Sequence, residues 1–181
     1  ILVRDGVAYA GAGMFPSEGV HVVAFNASDG AEKWRSTQTD LPAQGYLLVS
    51  ENRVYVSAGR NNPVVFNRAN GKRLHVIGGG GGTYALLTGD TLVFGPGRKG
   101  QLGLVPKEKK DAFATFPGAN QMIVTRERIF LQVGTGLSAL DRVLYITCEG
   151  ERQQLNALRG KLGKQLAQLR KQKSPDLSKV Q

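Results

Sequence analysis

The 181 residues contain one cysteine, Cys148. No disulfide can close within the chain, and no cysteine-based metal site can be assembled. There is one tryptophan, Trp34, and there are two histidines, His21 and His75. The histidines stand 54 positions apart with no ligand spacing and no carboxylate cluster nearby, so a metal site using both is not expected. No Ser-His-Asp order can be assembled either. Aromatic residues make up 7% of the chain, and no run of about 18 apolar residues offers a membrane-spanning helix. No secretory leader pattern is visible. The chain opens at Ile1 without a methionine and reads as strand at once, which gives the expectation of a fragment or a processed product. Acidic residues number 14 against 24 basic ones, a net charge of +10. Residues 149–181 hold eight basic and three acidic residues, a net of +5, so the tail is basic and the body only mildly so. A basic tail favours an acidic partner: nucleic acid, anionic lipid or an acidic protein face.

What the chain has in quantity is glycine, 24 residues, together with 41% apolar residues. That suits short strands and tight turns rather than a helix bundle. Four segments can be laid over one another. They begin at Leu2, Leu47, Leu86 and Met122, and each has two apolar runs joined by a two-residue turn: Asp5-Gly6, Asn52-Arg53, Asp90-Thr91 and Glu127-Arg128. The first apolar residues after these turns, Val7, Val54, Leu92 and Ile129, are spaced 47, 38 and 37 apart. The run after each turn reads as a strand buried on both faces. A third strand then reaches Asn26-Ala27-Ser28-Asp29-Gly30 or Asn67-Arg68-Ala69-Asn70-Gly71. Asp29-Gly30 and Asn70-Gly71 supply the positive φ of a hairpin turn, and Glu32–Arg35 reads as an outermost strand. About 40 residues per four-stranded unit is the size of a propeller blade.

The phrase Ala24-Phe25-Asn26-Ala27-Ser28-Asp29-Gly30-Ala31-Glu32-Lys33-Trp34 resembles the repeat of the pyrroloquinoline-quinone-type (PQQ-like) β-propellers. Val65–Lys72 is a second copy, with His75 in the place of Trp34, and Ala139-Leu140-Asp141-Arg142 looks like the start of a third. That family includes quinoprotein dehydrogenases and the lipoprotein scaffold of outer-membrane β-barrel assembly. The resemblance implies an all-β propeller of about four blades, partial for a ring of six to eight; the C-terminal amphipathic helix that follows it is read from the leucine spacing. It implies that Trp34 packs between neighbouring blades, and that Gly30 and Gly71, with Asp29 and Asn70, make the hairpin turns. In the dehydrogenases the resemblance implies PQQ over the central channel, Ca²⁺ or a lanthanide, an Asp base and a Trp platform. Those positions find no match here, and the vicinal cysteine pair of some relatives is excluded.

Other motifs have plainer readings. Gly95-Pro96-Gly97-Arg98-Lys99-Gly100 matches a dinucleotide fingerprint, but strand-like residues follow where a helix should open. Gly78–Gly82 reads as an inter-blade connection, and Lys107–Asp111 as a solvated hairpin tip. Asn26-Ala27-Ser28 is a glycosylation sequon that falls in a repeat turn.

Leu144–Thr147 reads as a last strand, which sets the blades at 1–148 and the basic helix and tail at 149–181. Leu155, Leu158, Leu162, Leu166 and Leu169 form a helical stripe, with Gly160 and Gly163 weakening the helix and Ser174-Pro175 ending it. The stripe suits packing onto the blades, a coiled coil or partner helix, or a basic membrane-surface helix.

The expected function is a non-catalytic binding or scaffold propeller of a larger protein or of an assembly in the bacterial periplasm or envelope. The alternative is a fragment of a PQQ-dependent dehydrogenase oxidising alcohols or sugars. No cofactor is expected in the first case, PQQ and Ca²⁺ in the second. The expected partner is a protein or the rest of a parent propeller. A membrane surface could be met through the tail, and nucleic acid is disfavoured because no aromatics interleave with the basic residues.

Overall fold

A computed structural model of the chain describes residues 1–14, 16–43, 45–59, 61–78, 84–88, 91–95, 101–106, 109–110 and 112–173. The chain divides into two compact units, Ile1–Leu140 and Asp141–Gln181. Asp90, most of the five-glycine run, residues 96–100 of the Gly95–Gly100 motif, Lys107, Glu108, Asp111 and Ser174-Pro175 lie outside the described residues.

The first unit is built from four antiparallel meanders. Sheet 1 runs β1 (Leu2–Arg4), β2 (Val7–Ala12), β3 (Val20–Asn26) and β4 (Glu32–Gln38). Sheet 2 runs β5 (Leu47–Val49), β6 (Arg53–Ala58), β7 (Asn61–Asn67) and β8 (Arg73–Val76). Sheet 3 runs β9 (Tyr84–Thr88), β10 (Thr91–Gly95), β11 (Gln101–Pro106) and β12 (Ala114–Pro117). Sheet 4 has three strands, β13 (Ala119–Val124), β14 (Arg128–Val133) and β15 (Gly136–Asp141). In every sheet spatial order equals chain order. β1 lies beside β5, and β5 beside β9, so the first strands of three sheets are neighbours and β4 and β8 lie at the far edges.

The repeat is visible atom by atom at its turns. Asn26 N donates to Ala31 O and Gly30 N to Asn26 O; Asn67 N donates to Lys72 O and Gly71 N to Asn67 O. The carboxylate of Asp29 accepts from Ala31 N at 2.9 Å, and the amide oxygen of Asn70 accepts from Lys72 N at 3.0 Å. Gly30 and Gly71 have φ of 74° and 70°, where a side chain would be strained. Both third-to-fourth strand pairs carry the same irregularity, between Ala24 and Phe25 and between Val65 and Phe66.

These matches shift the repeat register by one residue. Val7 pairs with Asn26, Arg53 with Asn67 and Thr91 with Pro106. Ser50 N bonds Arg53 O, and Thr125 N bonds Arg128 O. Val7 is therefore equivalent to Arg53, Thr91 and Arg128, and the turn centres of units two and four are Glu51-Asn52 and Arg126-Glu127. Anchoring on apolar residues fails because three of these strands start on a polar one.

The sheets stack face to face. Tyr9, Val22, Ala24 and Trp34 of sheet 1 pack against Val54, Val56, Val64 and Phe66 of sheet 2. The opposite face of sheet 2, with Tyr55 and Val65, packs against Leu92, Phe94 and Val105 of sheet 3. In the corrected register Tyr9 is equivalent to Tyr55, and Val54 to Leu92. One packing rule is thus used twice.

The second unit is one helix, α1 (Arg142–Lys173), about 48 Å long at 1.5 Å per residue. It overturns the expected strand at Leu144–Thr147, which is helix, and residue 148 lies inside α1. The cause is Asp141: its carboxylate accepts from Leu144 N at 3.0 Å, the bond of an N-cap. The third copy of the repeat phrase, Ala139–Arg142, therefore ends in a helix start rather than a hairpin turn.

Candidate functional site

The most elaborate polar arrangement lies between sheets 1 and 2. Trp34, on β4, reaches across to sheet 2, where its indole Nε1–H donates to Arg68 O at 2.9 Å. Its ring lies on the backbone of Gly71, and a Cβ there would stand 2.8 Å from Trp34 Cδ2. Gly71 is thus required twice, for its φ and for the space. Gly30, its counterpart in sheet 1, has nothing within 4 Å of a built Cβ.

Arg68 closes the same joint from the other side. Its Nε donates to Tyr9 Oη at 2.7 Å and its Nη2 to Asp5 Oδ2 at 2.8 Å. Its Nη1 donates to Glu51 O at 3.2 Å, and its guanidinium carbon lies 5.9 Å from the Tyr9 ring centroid. The hydrogen bond from Arg68 holds the Asp5 carboxyl below the usual carboxylate range. Further out, Arg73 Nη1 donates to Gln38 Oε1 at 3.0 Å and to Asp40 Oδ1 at 2.7 Å, lowering the Asp40 pKa. Further in, Arg4 Nη1 donates to Val49 O at 2.6 Å. Tyr46 Oη donates to Ala85 O at 2.6 Å between sheets 2 and 3.

Two hollows open on these residues. One, of about 330 Å³, sits over Tyr9 and Arg68 between the first two sheets. The other, of about 640 Å³, is lined by Leu2, Arg4, Val49, Ser50 and Leu87 on β1, β5, β9 and the turn after β5. Both are open. The arginines that border them are engaged with neighbouring sheets, so the first hollow presents a sheet-to-sheet clasp rather than a converging catalytic set.

PQQ and a cation would need grouped ligating side chains and a free aromatic face. Among the described residues no three His, Cys, Asp or Glu side chains are grouped to hold a metal ion. Trp34, the chain's one tryptophan, has its ring on Gly71 and its Nε1–H on Arg68, and so does not serve as a stacking platform. These residues do not fit the group. His21 lies on β3, with Nδ1 2.9 Å from Thr37 Oγ1, while His75 lies on β8 of the next sheet. The residues after the Gly95–Gly100 motif form β11, so no helix opens there.

In α1, Leu155, Leu158, Leu162, Leu166 and Leu169 are 51–65% exposed. Glu149, in contrast, is buried and bonded to Arg152, which lowers its pKa. Among the described residues no helix is long and apolar enough to cross a membrane.

The sequence reading missed Arg68, Tyr9 and Asp5 as a set. Arg68 occupies the variable second position of the Asn-x-x-Asx-Gly turn, where unit one has Ala27. The one available signal was a large cation at a turn position otherwise filled by a small residue.

Four successive antiparallel meanders, stacked by one face-to-face rule with a tryptophan in the joint, define the blades of a β-propeller. The family model of the outer membrane protein assembly factor BamB matches residues 3–117. The chain belongs to this family of PQQ-like repeat proteins. Among solved structures, BamB from Moraxella catarrhalis is similar at 16% identity and a TM-score of 0.59, over 77% of this chain and 44% of that one. The computationally designed Ika8 protein is similar at 15% identity and the same TM-score, again over 77% and 44%. A europium-containing methanol dehydrogenase gives 15% identity and a TM-score of 0.45, over 64% of this chain and 24% of that one. The chain thus spans less than half the length of these proteins. Comparison with curated sequences finds no match.

Proposed function

We propose that this chain is a non-catalytic propeller module that binds protein in an assembly of the bacterial periplasm or outer envelope. The observation that carries the reading is the family match over residues 3–117, to a family described as an outer membrane protein assembly factor. The chemistry agrees with it. Arg4, Arg68, Arg73, the Trp34 indole and the Tyr9 and Tyr46 hydroxyls fix one blade on the next, and these groups are not aimed at a shared point where a reaction could occur. A rigid stack of blades offers loops and sheet faces to a protein partner. In this reading no cofactor is bound.

Surface-based binding assays with the full chain and purified outer-membrane assembly components test this directly. Saturable binding is expected. Its absence up to roughly 100 µM, where specific association would be weaker than about 5.5 kcal/mol, would remove the reading. A second assay supplies PQQ and Ca²⁺ and follows dye-linked alcohol oxidation. No turnover is expected, and turnover would overturn the non-catalytic part.

A further inference from the structure

The hollow of about 640 Å³ bordered by β1, β5 and β9 contains a group that the clasp between blades does not use. Ser50, in the turn after β5, is 3% exposed. Its backbone N–H is spent on Arg53 O at 2.9 Å, but its Oγ has no hydrogen-bond partner. A buried hydroxyl left unpaired is costly and uncommon in a folded chain. The same repeat position in blade 4 is Thr125, whose Oγ1 donates to Arg128 O at 3.2 Å and accepts from Arg128 N at 3.0 Å. A hydroxyl at this position can thus be satisfied within its own turn, and that of Ser50 is not. In blade 1 the position is held by Arg4, which lines the same hollow. Arg4 Nη1 is held on Val49 O at 2.6 Å and Nε lies 3.4 Å from Asp5 Oδ2; among the described residues Nη2 has no partner. One repeat position, in two adjacent blades, therefore brings two unengaged donors to one hollow.

The other walls set the class of ligand. Leu2, Leu48 and Leu87 give an apolar side, and all three belong to joints the chain makes within itself: Leu2 packs on the core between blades 1 and 2, Leu48 and Leu87 on the core between blades 2 and 3. Glu51 is exposed at the rim and offers an acceptor. Arg4 and Glu51 carry opposite charges, so the hollow favours neither a cation nor an anion. Among the described residues no aromatic ring lines it, which removes the stacking face a nucleobase would use. A neutral group with an acceptor and a donor beside an apolar side chain matches this wall, and a peptide unit is such a group. We propose that the hollow takes a short stretch of a partner polypeptide, one apolar side chain lying against the leucines and its adjoining carbonyl accepting from Ser50 Oγ and Arg4 Nη2. This deepens the protein-binding reading above by giving that reading a place and a ligand chemistry.

Titration of the isotope-labelled full chain with the blocked peptide acetyl-Gly-Leu-Gly-amide, followed by nuclear magnetic resonance, tests the hollow itself. Saturable shifts at millimolar peptide are expected at Leu2, Leu48, Ser50 and Leu87, with several-fold weaker binding of acetyl-Gly-Gly-Gly-amide. Ser50→Ala should weaken the leucine peptide by about tenfold. The same variant should keep or raise the urea midpoint, since the lost hydroxyl bonds nothing in the free chain. No saturable shift, undiminished binding by Ser50→Ala, or a lowered midpoint in that variant would each overturn the proposal. So would tighter binding of the same peptide with a free terminal carboxylate, which would mark an anion site. The purified assembly components separate this inference from the reading it deepens. Components that bind while the peptide does not remove the hollow alone; a peptide that binds while the components do not removes the assembly reading alone.

Discussion

The inner and the terminal blades are made from the same repeat, yet they differ in what their side chains touch. In blade 2, five of the six residues of β6 are buried, and in blade 3 all five of β10 are; in blade 1 only Tyr9 of β2 is. Blade 4 shows the same one-sidedness, with Ile129 and Leu131 buried while Phe130 between them is half-exposed. Strand alternation puts neighbouring residues on opposite faces. The difference is therefore a matter of neighbours rather than of sequence type: an inner blade has a sheet on either side, a terminal blade on one. Burial in this fold belongs to the joint between blades.

The largest expected effect separates two phenylalanines at the same repeat position. Phe66→Ala should cost about 3–5 kcal/mol, because a fully buried aromatic is removed from a packed joint. Phe25→Ala, which removes a half-buried ring, should cost well under half of that. Urea denaturation followed by circular dichroism measures both, and equal costs would erase the distinction between inner and terminal blades.

Next come the two turn glycines. Gly71→Ala meets both a left-handed backbone and the Trp34 ring, and should cost about 2–4 kcal/mol. Gly30→Ala meets the backbone strain alone and should cost about 1 kcal/mol. Thermal melts of the two variants side by side report the difference.

A smaller effect follows pH. Asp5 and Asp40 have carboxyl groups lowered by hydrogen bonds from Arg68 and Arg73 across the first joint. A carboxyl lowered on folding contributes stability that is present above its unfolded value, here near 3.8, and lost as pH falls through the folded value. The blades should therefore lose stability below about pH 4. Asp5→Asn combined with Asp40→Asn should flatten that part of the profile and leave the slope above pH 5 unchanged.

The smallest effects belong to the helix. Gly160 and Gly163 have open space around a built Cβ, so each change to Ala should raise helicity and stabilise α1 by up to about 1 kcal/mol. Far-ultraviolet circular dichroism at about 222 nm measures the gain, and an unchanged helical signal in both variants would contradict it.

The repeat could be read from sequence because its turns are written in residues with few alternatives: Asn26, Asp29 and Gly30, and again Asn67, Asn70 and Gly71. The joint announced itself through Trp34. The register could not be read to the residue, since Arg53, Thr91 and Arg128 open their strands with polar side chains while Val7 opens with an apolar one. The start of α1 was hidden for a different reason. Val143, Leu144, Tyr145 and Ile146 have the composition of a strand, and Asp141 fits the repeat phrase as well as it fits a helix cap. Arg68 was illegible because its partners, Tyr9 and Asp5, lie about 60 residues away and meet it only once two blades are stacked.

The tryptophan of one blade seats on the turn glycine of the next, and a double-mutant cycle between Trp34 and Gly71 tests this most directly. Gly71→Ala should cost about 2–4 kcal/mol in the wild-type chain and only about 1 kcal/mol once Trp34→Ala has removed the ring it strikes. An identical cost in both backgrounds would mean that the indole does not rest on Gly71, and would contradict the stacking of the blades described here.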